Sequence, residues 1–70
     1  MISRQYLQGK AIEIFKEAND ASGKYMIVTT KERDAYAVYK KNVDLDAYSF
    51  VDIFTNAEDA VSAMDRMMNV

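Results

Sequence analysis

Asp44 and Asp46 are the two side chains whose spacing comes nearest to a cation-binding loop. Carboxylate oxygens suit hard cations, but a calcium loop also needs a glycine for its sharp turn and a late bidentate glutamate. No glycine follows Gly23 in this chain. We therefore interpret the pair as two solvated loop aspartates and predict no metal site.

The residue types needed for most catalytic sites are missing. The chain has neither cysteine nor histidine, which excludes a thiolate nucleophile, the usual cysteine and histidine zinc sites, and a Ser-His-Asp arrangement. It also lacks a glycine-rich loop that could hold phosphates. The sequence predicts no catalytic residues, no cofactor and no enzymatic activity.

Charge is unevenly distributed along the chain. Residues 1–41 carry eight basic and five acidic side chains, whereas residues 42–70 carry one basic and six acidic side chains. An acidic surface favours association with a basic partner surface. The main functional hypothesis is thus a protein-binding module. Its candidate contact residues, acidic with two neighbouring aromatics, are Asp44, Asp46, Asp52, Glu58, Asp59, Tyr48 and Phe50.

Asp52 lies between Phe50 and Phe54 in a strand-like segment. A buried carboxylate is costly unless it is paired. We therefore expect Asp52 on the outer face of the sheet, or else beside a basic partner such as Lys40 or Lys24.

The rival hypothesis is a nucleic-acid-binding module, in which basic side chains contact phosphates and tyrosines stack on bases. Glu32 and Asp34 lie among the basic residues, and the sequence pI is ≈ 4.9, so the net positive electrostatic field is small. Only weak, salt-sensitive binding to nucleic acid is therefore expected. The candidate residues for this function are Lys24, Lys31, Arg33, Lys40, Lys41, Tyr25, Tyr36 and Tyr39.

The N-terminal part predicts a helix that starts after Ser3 and ends around residues 19–23. Leu7, Ala11, Ile14 and Ala18 fall on one stripe of this helix, with Phe15 at its edge. Glu13 and Glu17 form a like-charge pair one turn apart, which disfavours the helix unless packing stabilises it.

Two segments rich in β-branched and aromatic residues, residues 24–30 and 35–40, predict a hairpin around residues 31–34. If Thr30 faces Ala35, then Met26, Val28, Ala37 and Tyr39 share one face of the sheet. The opposite face then carries Tyr25, Ile27, Tyr36 and Val38.

A third strand is predicted over residues 48–54, with Val51 and Ile53 on one face and Tyr48, Phe50, Asp52 and Phe54 on the other. Thr55 and Glu58 then fit a capping box that starts a second helix. Its apolar stripe comprises Ala57, Ala60, Val61, Met64, Met67 and Met68.

These elements predict one α+β domain over residues 1–70, in the order α-β-β-β-α, with a three-stranded antiparallel meander and both helices on one face. Leu7, Ile14, Phe15, Val61, Met64 and Met67 are the expected core residues against the sheet. One sheet face is left open, and a partner protein or a second copy of the chain would cover it.

The α-β-β-β-α order resembles that of the double-stranded-RNA-binding domain, which binds phosphates through lysines at the start of its last helix, where this chain has Glu58 and Asp59. Residues 25–67, with the motif over residues 54–60, look like the three-stranded DNA-binding module of phage-type integrases. Small size, acidity and the lack of catalytic residues are similar to small phage inhibitors of host defence, including anti-CRISPR proteins. That likeness implies inhibition of a nuclease or defence complex.

No stretch has the apolar run of a signal peptide or the ~20 apolar residues of a membrane span. We expect a soluble, cytoplasmic protein with no membrane partner.

Overall fold

The computed structural model describes residues 2–21, 23–42, 44 and 47–68. Within these ranges the chain forms a 3₁₀ turn, four strands and one helix, and the strands make one antiparallel sheet in the order β1-β2-β3-β4. The expected α-β-β-β-α order is wrong, because the predicted first helix is a short turn followed by a strand. The bounds are Arg4–Leu7 for the 3₁₀ turn, Ile12–Asp20 for β1, Gly23–Thr30 for β2, Tyr36–Asn42 for β3, Ser49–Phe54 for β4 and Ala57–Met68 for the helix α1.

The β2–β3 hairpin has the predicted register. Thr29 lies opposite Tyr36 and Val28 lies opposite Ala37. The same register, extended by one residue, places Thr30 opposite Ala35 as predicted. One face of the sheet carries Tyr25, Ile27, Tyr36 and Val38, which pack against α1. We call this side the helix face. The other side carries Met26, Val28, Ala37 and Tyr39, and we call it the N-terminal face.

Helix α1 packs on the helix face, mainly over β3 and to a smaller extent over β4 and β2. Ala60 and Met64 are fully buried. The predicted apolar stripe is confirmed, because its other members, Ala57, Val61, Met67 and Met68, pack around the same core. Burial of this stripe stabilises a helix of only 12 residues, a length that is marginal in isolation. Among the described residues, no helix has the length and apolar character required to cross a bilayer.

The cap of α1 differs by one residue from the predicted capping box. Asn56, and not Thr55, is the N-cap: its Oδ1 accepts a hydrogen bond from the Asp59 backbone N–H at 2.9 Å. The Asn56 Nδ2 in turn donates to Asp59 Oδ2 at 3.0 Å. Glu58 and Asp59 in the first turn also complement the positive end of the helix dipole.

Residues 2–8 cover the N-terminal face of the sheet. Ile2 and Leu7 pack against a second buried cluster formed by Val28, Ala35, Ala37 and Ile53. The 3₁₀ turn is short, and Ser3 makes no side-chain cap hydrogen bond. Gly9 follows it with φ of 74°, a left-handed conformation that glycine adopts readily, and this turn leads the chain into β1. The predicted core is thus wrong in part, since Leu7 packs on the face opposite α1.

β1 is a strand where the sequence predicted a helix. It pairs with β2 alone and carries a bulge at Phe15, since Ile14 lies opposite Val28 and Lys16 lies opposite Ile27. Ile14 and Phe15 were expected in the core against the sheet, but both are exposed, so this prediction is wrong. Ala18 is the half-buried residue of this strand that packs against the core of the helix face.

β4 confirms the predicted third strand but not its faces. A bulge at Val51 places Phe50 opposite Tyr39 and Ile53 opposite Ala37, so both lie on the N-terminal face. Asp52 and Phe54 lie on the helix face, opposite Val38 and Tyr36. The bulge thus separates Phe50 from Asp52 and Phe54, which the sequence placed together.

Candidate functional site: surfaces for a binding partner

The predicted acidic contact residues do not form one surface. Glu58 and Asp59 begin α1, and Asp52 lies near the adjoining end of β4, where Asp52, Thr55 and Asp59 line a shallow cleft of about 330 Å³. Asp44 precedes β4 and therefore lies towards the opposite end of this strand. Asp46 is outside the described residues. The structure thus groups three of the five acidic candidates, which we call the acidic corner.

The carboxylates of the acidic corner are exposed, and two of them have local partners. Asp52 Oδ1 accepts a hydrogen bond from the Ile53 backbone N–H at 2.8 Å, and Asp59 is held by the Asn56 cap. Asp52 is exposed on the helix face, so its expected position on the outer face is wrong. Among the described residues, no lysine forms an ion pair with its carboxylate. Within the described part of the chain, no cluster of acidic groups has the geometry to hold a metal ion.

The two aromatic candidates near the acidic residues are also separated. Tyr48 precedes β4 and is partly exposed. Phe50 lies on the N-terminal face, where its ring meets Tyr39 edge-on at 5.7 Å and the Arg4 guanidinium lies 5.6 Å from its centroid. Phe50 therefore belongs to the packing between the sheet and residues 2–8.

The basic candidates occupy the two opposite ends of the hairpin. Lys24, Lys40 and Lys41 lie at one end, and Lys24 is directly opposite Lys41. Lys31 and Arg33 lie in or beside the turn at the other end. A strand of seven residues spans roughly 20 Å, so these two groups do not make one phosphate-binding patch.

The tyrosines proposed to stack on bases are part of the fold. Tyr25 and Tyr36 are buried at 1% and 7% exposure, in the core that packs against α1. Tyr39 is half-buried and packs on Phe50. Lys40 Nζ lies over the face of the Tyr25 ring, 5.4 Å from its centroid, as a cation–π partner. None of the three rings is presented as an open stacking platform.

A hydrogen-bonded network joins residues 2–8 to the hairpin. The Tyr6 hydroxyl donates to Asp34 Oδ2, and the Thr30 hydroxyl donates to Asp34 Oδ1. These bonds favour the ionised carboxylate, so the Thr30 hydroxyl, followed by the Tyr6 hydroxyl, lowers the pKa of Asp34. The same carboxylate raises the pKa of Tyr6. Lys10 Nζ lies 4.5 Å from the centre of the Tyr6 ring. The sequence reasoning missed this network, since Tyr6 and Asp34 are 28 residues apart.

A cleft of about 610 Å³ lies beside this network and is lined by Ile2, Ser3, Gln5, Tyr6, Asp34 and Thr55. The cleft is wide and shallow, and its two titratable side chains, Tyr6 and Asp34, are already hydrogen-bonded to each other. It has no second titratable pair and no nucleophile with an adjacent base. We assign it a structural role in docking residues 2–8 on the sheet.

The most unusual surface is the free edge of β1. Three neighbouring positions of this strand carry exposed apolar side chains: Ile12 is 48% exposed, Ile14 is 56% exposed and Phe15 is 36% exposed. No described residue pairs with the outer edge of this strand. The Phe15 ring meets Tyr36 edge-on at 5.2 Å, and the Arg33 guanidinium lies 5.6 Å from its centroid. These contacts fix one aromatic ring beside an open row of backbone hydrogen-bonding groups.

Two charged side chains flank the exposed apolar residues of β1. Glu13 Oε1 lies 3.7 Å from an Arg33 guanidinium nitrogen, and both side chains are more than half exposed. Lys16 is exposed and has no ion-pair partner among the described residues. The sequence carried a signal for this edge in the alternation of Ile12 and Ile14, which the helical stripe obscured.

Comparison with known proteins gives no family assignment: no protein-family model, no curated protein and no solved structure matches this chain.

Proposed function

We propose that this chain is a non-enzymatic protein-binding module, and that its partner adds a β-strand to the free edge of β1. The observation that carries the proposal is the exposure of Ile12, Ile14 and Phe15 on a strand with one unpaired edge. An edge of this kind offers backbone N–H and C=O groups to an extended polypeptide, and side chains beside it provide specificity.

The second edge of the sheet is less suited to strand addition. β4 has six residues, whereas β1 has nine. It also carries the exposed carboxylate of Asp52 and a bulge next to it at Val51, two features that protect natural sheet edges. β1 has its own bulge at Phe15, but the apolar side chains on both sides of it remain exposed.

A non-enzymatic role is consistent with the residue types. The chain contains no histidine or cysteine, and the pKa shifts found among the described residues belong to the Tyr6–Asp34 network. As part of the same proposal we place the module in the cytoplasm, because small secreted domains usually depend on disulfides and this one has no cysteine.

A narrower form of the proposal is an inhibitor, as in phage or mobile-element proteins of the anti-CRISPR type, that occupies a basic surface of a host nuclease or defence complex. The acidic corner formed by Asp52, Glu58 and Asp59 is the feature that supports this form. Reversal of Glu58 and Asp52 to lysine tests it: we expect weaker binding and a smaller salt dependence. Unchanged binding would contradict the electrostatic form and leave strand addition at β1 in place.

The positions of the residues predicted to bind nucleic acid do not favour that function. Its basic residues lie at two ends of the hairpin, and Tyr25 and Tyr36 are buried against α1.

A photo-crosslinking amino acid at position 12 tests the proposal in the cells that produce the protein. We expect crosslinks to polypeptide from Ile12, and none from the same probe at Ser62 on the exposed side of α1. Adding Ile14→Lys to the chain with the probe at position 12 should abolish the crosslink, because a charge would then face the added strand. Crosslinks that are equal at both positions, or that survive Ile14→Lys, would overturn strand addition at β1.

A further inference from the structure

We infer that the strand added to β1 is β1 of a second copy of this chain, which gives a two-fold symmetric dimer with a continuous eight-stranded sheet. This inference rests on the proposed function and names its partner. Because α1 packs mainly over β3, the helix leaves the β1 edge clear for a neighbouring sheet. A two-fold contact also uses the same surface on both copies, so the exposed apolar side chains of each β1 are covered by β1 of the other copy.

The charges on β1 select one antiparallel register. Glu13 lies opposite Thr29 and Lys16 lies opposite Ile27, so both side chains are on the helix face. Residues three apart in a regular strand lie on opposite faces, and the bulge at Phe15 is what brings these two onto the same face.

Facing residues of an antiparallel pair share one face of the sheet. A two-fold axis at Ile14, with Phe15 of each copy left unpaired as the bulge residue, therefore places Ile14 opposite Ile14 and Glu13 of each copy opposite Lys16 of the other. A register centred on Glu13, Lys16 or Glu17 places that side chain directly opposite the same side chain of the second copy. Like charges directly opposite each other are destabilising. Charge complementarity thus favours the register that is centred on Ile14.

The same register places the exposed apolar residues at the centre of the contact. Ile14 lies at the axis and Phe15 lies next to it in both copies, and both are exposed large apolar side chains. The existing Glu13–Arg33 pair does not prevent the new contact. At 3.7 Å and with both side chains largely exposed it is a weak pair, so the Glu13 carboxylate can accept Lys16 of the second copy as well.

Sedimentation equilibrium of the purified chain over a concentration series tests the inference. We expect a mass that rises from 8.0 kDa towards twice this value. Glu13→Lys places lysine opposite lysine, and Lys16→Glu places glutamate opposite glutamate, twice per dimer in each case. Each variant should raise the dissociation constant about tenfold or more. Arg66→Glu, an equal charge change on exposed α1, should leave it unchanged.

Two combinations make the test specific for the register. The double variant Glu13→Lys/Lys16→Glu restores opposite charges across the axis and should recover the wild-type dissociation constant. A mixture of the two single variants should form heterodimers, because lysines at positions 13 and 16 of one chain then face glutamates of the other. Far-ultraviolet circular dichroism like that of the wild type shows that each variant is folded.

The outcomes separate this inference from the proposed function. A chain that stays at 8.0 kDa throughout the series overturns the dimer, while a crosslink from position 12 to a different protein would still support strand addition at β1. A dimer whose dissociation constant stays at the wild-type value in both single variants overturns the register and thus the inference. Loss of dimerisation in the single variants with recovery in the double variant supports it.

Discussion

At the scale of single residues, Asp34 is the group with the most distinctive environment. Hydroxyl donors from Thr30 and Tyr6 stabilise its carboxylate, so its pKa is lower in the folded chain than in the unfolded chain. Such a group stabilises the fold above its unfolded pKa, and this contribution is lost as the pH falls through the folded pKa. Tyr6 has a raised pKa, so its contribution is complete below its ordinary pKa and is lost as the pH rises through the folded value.

We expect Thr30→Val to raise the pKa of Asp34 more than Tyr6→Phe does, because the Thr30 hydroxyl is the larger cause of the shift. Carbon-13 NMR titration of the side-chain carboxyl group measures both effects. Tyr6→Phe should also remove the loss of stability at alkaline pH that comes from this network. An Asp34 pKa that is unchanged in both variants would contradict the assigned hydrogen bonds.

Met64 is the methionine that fills the space between α1 and the sheet, and it is fully buried. Met64→Ala should lower the free energy of unfolding by about 2–5 kcal/mol, since it leaves a cavity as well as removing apolar surface. Met67→Ala, at a half-buried position on the same helix, is the matched control and should cost less.

Urea denaturation measures both variants. If Met64→Ala does not fold, Met64→Leu keeps the volume and should cost less than about 1.5 kcal/mol. Equal losses at positions 64 and 67 would show that Met64 is not the central contact of this interface.

At the scale of elements, the start of α1 depends on Asn56. Asn56→Ala removes the hydrogen bond to the Asp59 backbone N–H and should lower the free energy of unfolding by about 1 kcal/mol. Thr55→Ala should change it less, because the Thr55 side chain is exposed and makes no cap contact in the structure. The same denaturation experiment compares them, and a larger effect at Thr55 would restore the capping box that the sequence predicted.

The residues on each face of the inner strands were predictable from the sequence, whereas those on each face of the outer strands were not. In β2 and β3 every residue alternates between faces, so hydrophobic pattern and turn length were sufficient to predict the register. Both edge strands contain a bulge, at Phe15 in β1 and at Val51 in β4. A bulge inserts one residue and reverses the alternation that follows it, so a period of two is visible only in short pieces of these strands.

The misassigned β1 shows how this loss of alternation leads to a wrong element. With the period of two interrupted at Phe15, the spacing of Leu7, Ile14 and Ala18 fits a helical stripe instead. The like charges of Glu13 and Glu17 were the signal against a helix. In the structure Glu13 lies on the helix face and Glu17, opposite Met26, lies on the N-terminal face, so the bulge also separates these two carboxylates.

The candidate contact residues were chosen by sequence proximity, and the strand direction decides which of them meet. Asp44 and Asp52 are close in sequence, yet they lie towards opposite ends of β4, whereas Asp52 and Asp59 line one cleft. The tyrosines were placed on the correct faces of the hairpin, but the burial of Tyr25 and Tyr36 depends on α1. Long-range packing of this kind cannot be derived from the local pattern.

At the scale of the whole molecule, the sheet is covered on both sides by unequal layers. Helix α1 covers the helix face, and residues 2–8 cover the N-terminal face through Ile2 and Leu7. This second layer consists of one short turn and is held at its side by the Tyr6–Asp34 bond. The stability of the whole domain therefore includes a contribution from a segment that has almost no regular structure of its own.

Leu7→Asp tests that contribution. A charged side chain cannot pack against Val28, Ala37 and Ile53, so residues 2–8 should detach and expose the apolar N-terminal face. Because Leu7 is only half-buried, we expect the free energy of unfolding to fall by about 1–2 kcal/mol, together with increased binding of a hydrophobic dye. Gln8→Asp adds the same charge at an exposed neighbour and should have little effect on either measurement. Equal stability of the two variants would mean that residues 2–8 do not contribute to the core, and the N-terminal face would then be a second open surface of the sheet.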